Sequence, residues 1–181
     1  ARDPNTCAGN LVTFNVGGGP FEVPVSPAQI TGLNEGQPKV NLGFSWRIDC
    51  SHIRRQPYQV VMNATDNDCG RDQQPLTDIK YFNIQVIGPE PQNPAANARG
   101  NGILVNWTPP KCDYVVAYYV FRKENASNWD PDTCDIGIAP GTGYKRIATL
   151  TDPSVLSFYD DNGGKGLFHG VNYCYRITAL Y

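Results

Sequence analysis

Glycine and proline punctuate this chain along its whole length. Of 181 residues, 18 are Gly and 15 are Pro, and they follow no collagen-like period. A proline inside a helix removes a backbone hydrogen bond and clashes with the preceding turn, and a glycine there costs backbone entropy. Long helices therefore have little room, and a helical bundle is excluded. Short strands joined by turns remain. The 15 Lys+Arg nearly balance 17 Asp+Glu, for a formal net charge of -2, so the basic footprint needed for nucleic-acid binding is missing. No apolar run approaches the roughly 20 residues that span a bilayer. The expected class is all-β, with neither nucleic acid nor membrane insertion among its partnerships.

The six cysteines stand at Cys7, Cys50, Cys69, Cys112, Cys134 and Cys174, and no two make the CxxC knuckle of a structural zinc site. Only His52 and His169 could supply imidazole. Oxidised cystines in an exported protein are the simpler reading, because the cytosol keeps such thiols reduced. The chain starts at Ala1 without a visible signal peptide, which is expected of a processed end or of the edge of an excised fragment.

Alternation marks the strands of the first half. Tyr58, Val60, Met62 and Ala64 share one face, with Gln59 and Asn63 on the other; Phe82, Ile84 and Val86 oppose Asn83 and Gln85 in the same way. Asp66-Asn67-Asp68-Cys69-Gly70 and Pro75 lie between them, so the pair is expected to form a hairpin with a long loop. Residues 11–16 and 40–46 are further strand candidates, separated by Gly17-Gly18-Gly19-Pro20 and by the segment 24–27. Gly88-Pro89-Glu90-Pro91-Gln92-Asn93-Pro94 then stiffens the backbone. The boundary is expected there, giving tandem β-sandwich domains at 1–88 and 89–181.

The second half resembles a fibronectin type III module through most of its length. Pro91 opens the first strand, and Ile103-Leu104-Val105-Asn106-Trp107-Thr108-Pro109-Pro110 is similar to the second, whose Trp lies in the core. Tyr118-Tyr119-Val120-Phe121-Arg122 resembles the third strand and Ser157-Phe158-Tyr159-Asp160 the fifth. Residues 170–179 resemble the sixth, where Tyr173, Tyr175, Ile177 and Ala179 would point inward. The resemblance implies a seventh strand after Ala179, which this sequence lacks, so an unpaired edge is expected. It would be completed by a longer polypeptide or by a strand from a partner. The first half resembles cadherin-like or PKD-like immunoglobulin-type modules in Phe44-Ser45-Trp46, Tyr58-Gln59-Val60 and Ala64-Thr65-Asp66-Asn67. Residues 49–58, Asn106-Trp107-Thr108-Pro109 and Gly141-Thr142-Gly143-Tyr144 resemble a tandem in large type IX-secreted, gliding-motility-associated surface proteins of Bacteroidota. That resemblance implies a bacterial cell-surface location and neighbouring modules of the same longer chain as partners.

Pairing of the cysteines follows from strand length. Eight strand residues span roughly 26 Å, far beyond the ~5.5 Å Cα separation of a disulfide. Cys50 precedes the strand 58–66 and Cys69 follows it, which argues against that pair. Cys7 with Cys69 ranks first in the first domain. Cys112 has Cys134 and Cys50 as possible partners, Cys134 being slightly favoured. Cys174 alternates with the inward set and faces outward; its partner would lie in the missing strand, with Cys134 as the fallback.

No catalytic motif emerges. His52 and His169 are expected as turn residues, and no GxSxG elbow, HExxH helix, GxGxxG after a strand, or P-loop is present. Three acidic loops are material for Ca²⁺, namely Asp66, Asp68 and Asp72; Asp130, Asp132 and Asp135; and Asp160 and Asp161 with Asn162. None completes a Ca²⁺ motif, and turn capping explains them as well. No cofactor is expected, calcium being the secondary hypothesis. Trp46 and Trp107 belong in cores; Trp129, beside Asn125, Asn128 and Asp130, is the one aromatic placed for a glycan contact. The sequons at Asn63, Asn106 and Asn125 carry weight only in a eukaryotic secretory host. The expectation is a non-enzymatic spacer of a long surface adhesin or motility filament, which touches other surface proteins or glycans. The rival is a carbohydrate-binding or accessory module of a secreted polysaccharide-acting enzyme.

Overall fold

The computed structural model describes residues 11–37, 39–67, 75–132 and 135–181. The chain is all-β and divides into two compact units, Ala1–Val86 and Ile87–Tyr181. Cys7, Cys69 and Cys134 lie outside the described residues.

In the first unit, strands β1 (Val12–Gly18), β3 (Glu35–Gly36), β5 (Tyr58–Asp66) and β6 (Thr77–Ile84) form an antiparallel sheet in the order β3-β1-β5-β6. Strands β2 (Gln29–Thr31) and β4 (Gly43–Ser45) make a second, two-stranded sheet. The period-2 pattern of β5 decides which side is buried: Tyr58 and Val60 are 3% and 0% exposed, while Gln59 and Val61 between and beyond them face solvent. The second layer closes over that buried side through aromatic edges. Phe44 meets Phe82 at 6.1 Å between ring centroids, and Trp46 meets Tyr58 at 4.8 Å. Both distances fall in the range where edge-to-face pairs attract.

Two expectations for this unit need correction. Gly17 and Gly18 do not separate strands, because β1 runs through them, with Gly17 opposite Val61 and Gly18 opposite Val60; the break comes at Gly19. Gly18 has a φ of 115°, and a Cβ there would land on the Gln59 carbonyl oxygen, so only glycine lets the strand turn directly into the 3-10 turn Gly19–Phe21. In the segment 40–46 only Gly43–Ser45 is strand, since its partner β2 is itself three residues long; Val40 is buried, at 3% exposure, outside it.

The second unit packs two three-stranded antiparallel sheets. One has β11 (Ser157–Asp160), β8 (Gly102–Thr108) and β7 (Gln92–Arg99) in the order β11-β8-β7. The other has β10 (Lys145–Leu150), β9 (Ala117–Glu124) and β12 (Tyr173–Leu180) in the order β10-β9-β12. Val105 and Trp107 from β8 meet Tyr118 and Val120 from β9 in the core between them, with the Trp107 and Tyr118 rings edge-on at 5.4 Å. Burial stabilises by about 1.5–3 kcal/mol for each fully covered large apolar side chain. This is a β-sandwich, as the fibronectin type III resemblance implies. Tyr175, Ile177 and Ala179 pack onto that core, but Tyr173 does not; its hydroxyl accepts from Phe168 N at 3.1 Å. Strand β12 pairs with β9 from Tyr173 to Leu180, and among the described residues no strand pairs with its other edge. Among the described residues, no helix is long and apolar enough to cross a membrane.

Candidate functional site

Polar side chains that could do chemistry are mostly committed to the fold. His52 is 1% exposed and sits at the end of the short 3-10 turn Cys50–His52. Its Nδ1 accepts from Asp49 N at 3.0 Å, which leaves the proton on Nε2, donating to Val25 O at 2.8 Å. Neither nitrogen is free to act as a base. Asp49 caps the same turn, accepting from Ser51 Oγ at 2.6 Å and Ser51 N at 2.8 Å, and those bonds hold its carboxyl below the usual value. Tyr58 closes the arrangement by donating its hydroxyl to His52 O at 3.1 Å. His169 lies exposed in the turn before Gly170.

Cys50 and Cys112 are both disulfide-bonded. Cys174 carries a free thiol; it lies beside the open edge of its sheet, and its sulfur lies 3.5 Å from Asn125 O.

The long segment between β9 and β10 lies over the outer face of the β10-β9-β12 sheet. Trp129 is gripped there: the Arg176 guanidinium stands 5.1 Å over its ring, Arg176 also donates to Trp129 O at 3.3 Å, and the Tyr144 ring meets it at 6.1 Å. An open cleft of about 510 Å³ runs alongside, lined by Lys123, Asn128, Trp129, Pro140 and Thr142 among others. Thr142 spends its hydroxyl on Ala139 O at 2.9 Å. The half-buried Trp129 thus packs the segment onto its own unit, and among the described residues no carboxylate or imidazole lines the cleft beside it.

One network escaped the sequence reading. Asp160, with a side chain 4% exposed, receives Arg122 Nη1 at 3.0 Å on each carboxylate oxygen, Tyr175 Oη at 2.8 Å and Asn162 N at 3.1 Å. Burial, followed by the bond to Asp160 and its charge, pushes the Tyr175 phenol far above its ordinary value. A signal was available. Tyr118, Val120 and Arg122 alternate on β9, so an inward arginine demanded a buried carboxylate, and the register sets Arg122 directly opposite Tyr175.

The acidic loops are likewise capping their own turns. Asp66 accepts from Leu76 N at 2.5 Å, Asp135 from Asp132 N at 3.0 Å, and Asp161 from Gly164 N at 3.0 Å. Asp68 and Asp72 lie outside the described residues. Among the described residues, no three acidic, histidine or cysteine side chains come together to hold a metal ion.

No protein-family model and no curated protein matches the chain. Among solved structures it is similar to the FN1-FN3 domains of chicken CNTN1, with a TM-score of 0.36 and 12% identity over 94% of this chain and 50% of that one. The chain thus spans about half the length of that structure.

Proposed function

We propose that this chain is a non-catalytic structural segment of a longer extracellular protein, two β modules in series that act as a spacer. The observation that carries this reading is the use of its reactive groups. Both nitrogens of His52 and both oxygens of Asp160 are consumed in hydrogen bonds that hold the fold. The disulfide-bonded Cys50 and Cys112 suit an oxidising compartment. In finer detail, the spacer belongs to an adhesin or gliding-motility filament at a bacterial surface, with neighbouring modules of the same chain as its first partners.

Stretching single molecules of the whole chain between handles tests the mechanical role. Two discrete unfolding events are expected, with extension gains that lengthen once reductant opens the disulfides. A smooth extension without discrete events would remove the spacer reading, as would hydrolysis of polysaccharide, peptide or ester substrates by the purified chain.

A further inference from the structure

The outer face of the first unit's main sheet contrasts with that of the second. Over β9 and β12 a long segment is folded down; on β1, β5 and β6 the outward side chains of Asn15, Gln59, Val61, Ile79, Tyr81 and Asn83 are exposed among the described residues. The register sets these side chains in rows across the three strands. Asn15, Asn63 and Ile79 form one row, Gly17, Val61 and Tyr81 the next, and Gln59 with Asn83 a third. Tyr81 is 68% exposed, Ile79 59% and Val61 37%, and Asn15, Gln59 and Asn83 are exposed too. This departs from the pattern of a half-buried strand, because β6 keeps large apolar groups in water.

The chemistry of these rows selects an occupant. None of the eight positions carries a charge, although Lys80 and Asp78, which point to the other side of β6, form an ion pair at 3.2 Å. Apart from Glu35, which the register sets opposite Thr13 at the β3 edge of this face, these rows offer no charge to nucleic acid, anionic lipid or a charged peptide, whose recognition rests on ion pairing. They complement a neutral ligand. The side-chain amides of Asn15, Gln59 and Asn83 have no protein hydrogen-bond partner among the described residues. Each amide both donates and accepts, which matches a hydroxyl that does the same. Beside them, Tyr81 offers a ring to the apolar face of a sugar, and Gly17 leaves open space next to Val61, with nothing within 4 Å of where a Cβ would stand. The rows are spaced by about 4.8 Å between strands and about 6.7 Å between like-facing residues, so together they present a shallow platform rather than a pocket.

We infer that this face binds a linear, neutral polysaccharide, with Tyr81 as the stacking residue and Asn15, Gln59 and Asn83 as hydrogen-bonding residues. The site is separate from Trp129 and does not depend on the spacer reading: a spacer without it would still unfold in two steps.

The test uses the whole chain, labelled with ¹⁵N and titrated with cellohexaose and chitohexaose, alongside pull-down on amorphous cellulose and on chitin. Binding to at least one of these is expected, with shifts in the Asn15, Gln59 and Asn83 side-chain amide signals and no loss when salt is raised. Tyr81→Ala is expected to weaken it about tenfold or more, and Asn83→Asp to weaken it as well, while Trp129→Ala leaves it unchanged. Unchanged thermal midpoints show that the variants are folded; should Tyr81→Ala fail to fold, Asn83→Asp and the amide shifts decide alone. The inference is overturned by the absence of binding to all four probes, by shifts confined to the Trp129 cleft, by binding that salt abolishes, or by a dimer that Tyr81→Ala dissociates in a chain that binds no glycan.

Discussion

Replacing Asp160 by Asn tests the buried network of the second unit. The change keeps the shape of the side chain but removes its charge and turns an amide donor toward Arg122, which is then left nearly buried and uncompensated. Breaking a buried pair from one side costs about 3–5 kcal/mol. The Arg122 side chain is 16% exposed and retains the Tyr173 ring at 5.5 Å, Asn162 Oδ1 at 3.3 Å and the exposed Glu124 at 4.0 Å. Those contacts reduce the expected loss to about 2–3 kcal/mol. For a unit of this size that is a fall of about 10–20 °C in its melting transition. Tyr175→Phe, which removes one hydrogen bond to a charged group, should cost about 1.5 kcal/mol. Arg122→Met combined with Asp160→Leu should cost less than either single change that strands a partner, because no buried charge is left unpaired. Hydrogen exchange of the whole chain reads these energies at the β9 and β12 amides while β5 serves as the internal reference. Asp160→Asn within about 0.5 kcal/mol of the parent, or a double variant as costly as the sum of its singles, would refute the reasoning.

Alkaline pH should destabilise the second unit through its half-buried Tyr181. Burial, with Tyr118 nearby, raises Tyr181 from 10.0 to about 12, so the unfolded chain loses this proton first. The contribution is complete below about pH 10 and disappears between pH 10 and about 12, and phenolate absorbance should show this late-titrating group alongside denaturation curves. Gly17→Ala should be tolerated, since its Cβ meets nothing within 4 Å, whereas Gly18→Ala, at a φ of 115° and against the Gln59 carbonyl, should cost about 2 kcal/mol or more by urea denaturation. Alkylation of the native chain without reductant, followed by peptide mass spectrometry, should label Cys174 and spare Cys50 and Cys112. Tyr81→Ala should shift stability by no more than about 0.5 kcal/mol, while Val60→Ala, at a site 0% exposed, should cost about 2 kcal/mol.

Strands whose side chains alternate between core and water were legible because burial imposes a period of two. Tyr58 and Val60 in β5 and Tyr118 and Val120 in β9 are the clear cases. The continuation of β1 through Gly17 and Gly18 was not, since glycine carries no side chain to show a period and only the approach of Gln59 requires it there. His52 reads as a surface turn residue because its burial comes from Trp46, whose ring stands edge-on at 5.1 Å, and from Val25, both distant in sequence. Asp160 looked like calcium material because it sits in a run of Asp and Asn. Its actual partner, Arg122, lies 38 residues away and reveals itself only through the parity of β9.

The first unit also shows why function can collect on its outer sheet face. Among the described residues its buried apolar side chains are few and mostly small, namely Val12, Pro20, Ala28, Val40, Tyr58, Val60 and Val86, as expected when a domain of this size covers a limited share of its surface. Hydrogen-bonded His52 and the edge-on contacts among Trp46, Phe44 and Phe82 add to that core. Strand β6 is held by its backbone ladder to β5, from Tyr58 opposite Ile84 to Thr65 opposite Thr77, and scarcely by burial of its outward residues. A side chain that contributes little to folding can change at little cost in stability. Position 81 is such a place, because its tyrosine is 68% exposed and contributes little to the fold. In the second unit the comparable outer positions on β9 and β12 are taken up by Trp129, Tyr144 and Arg176. Among the described residues, the first unit therefore shows exposed, uncharged side chains on the outward face of β1, β5 and β6, and the second shows that face packed under Trp129, Tyr144 and Arg176.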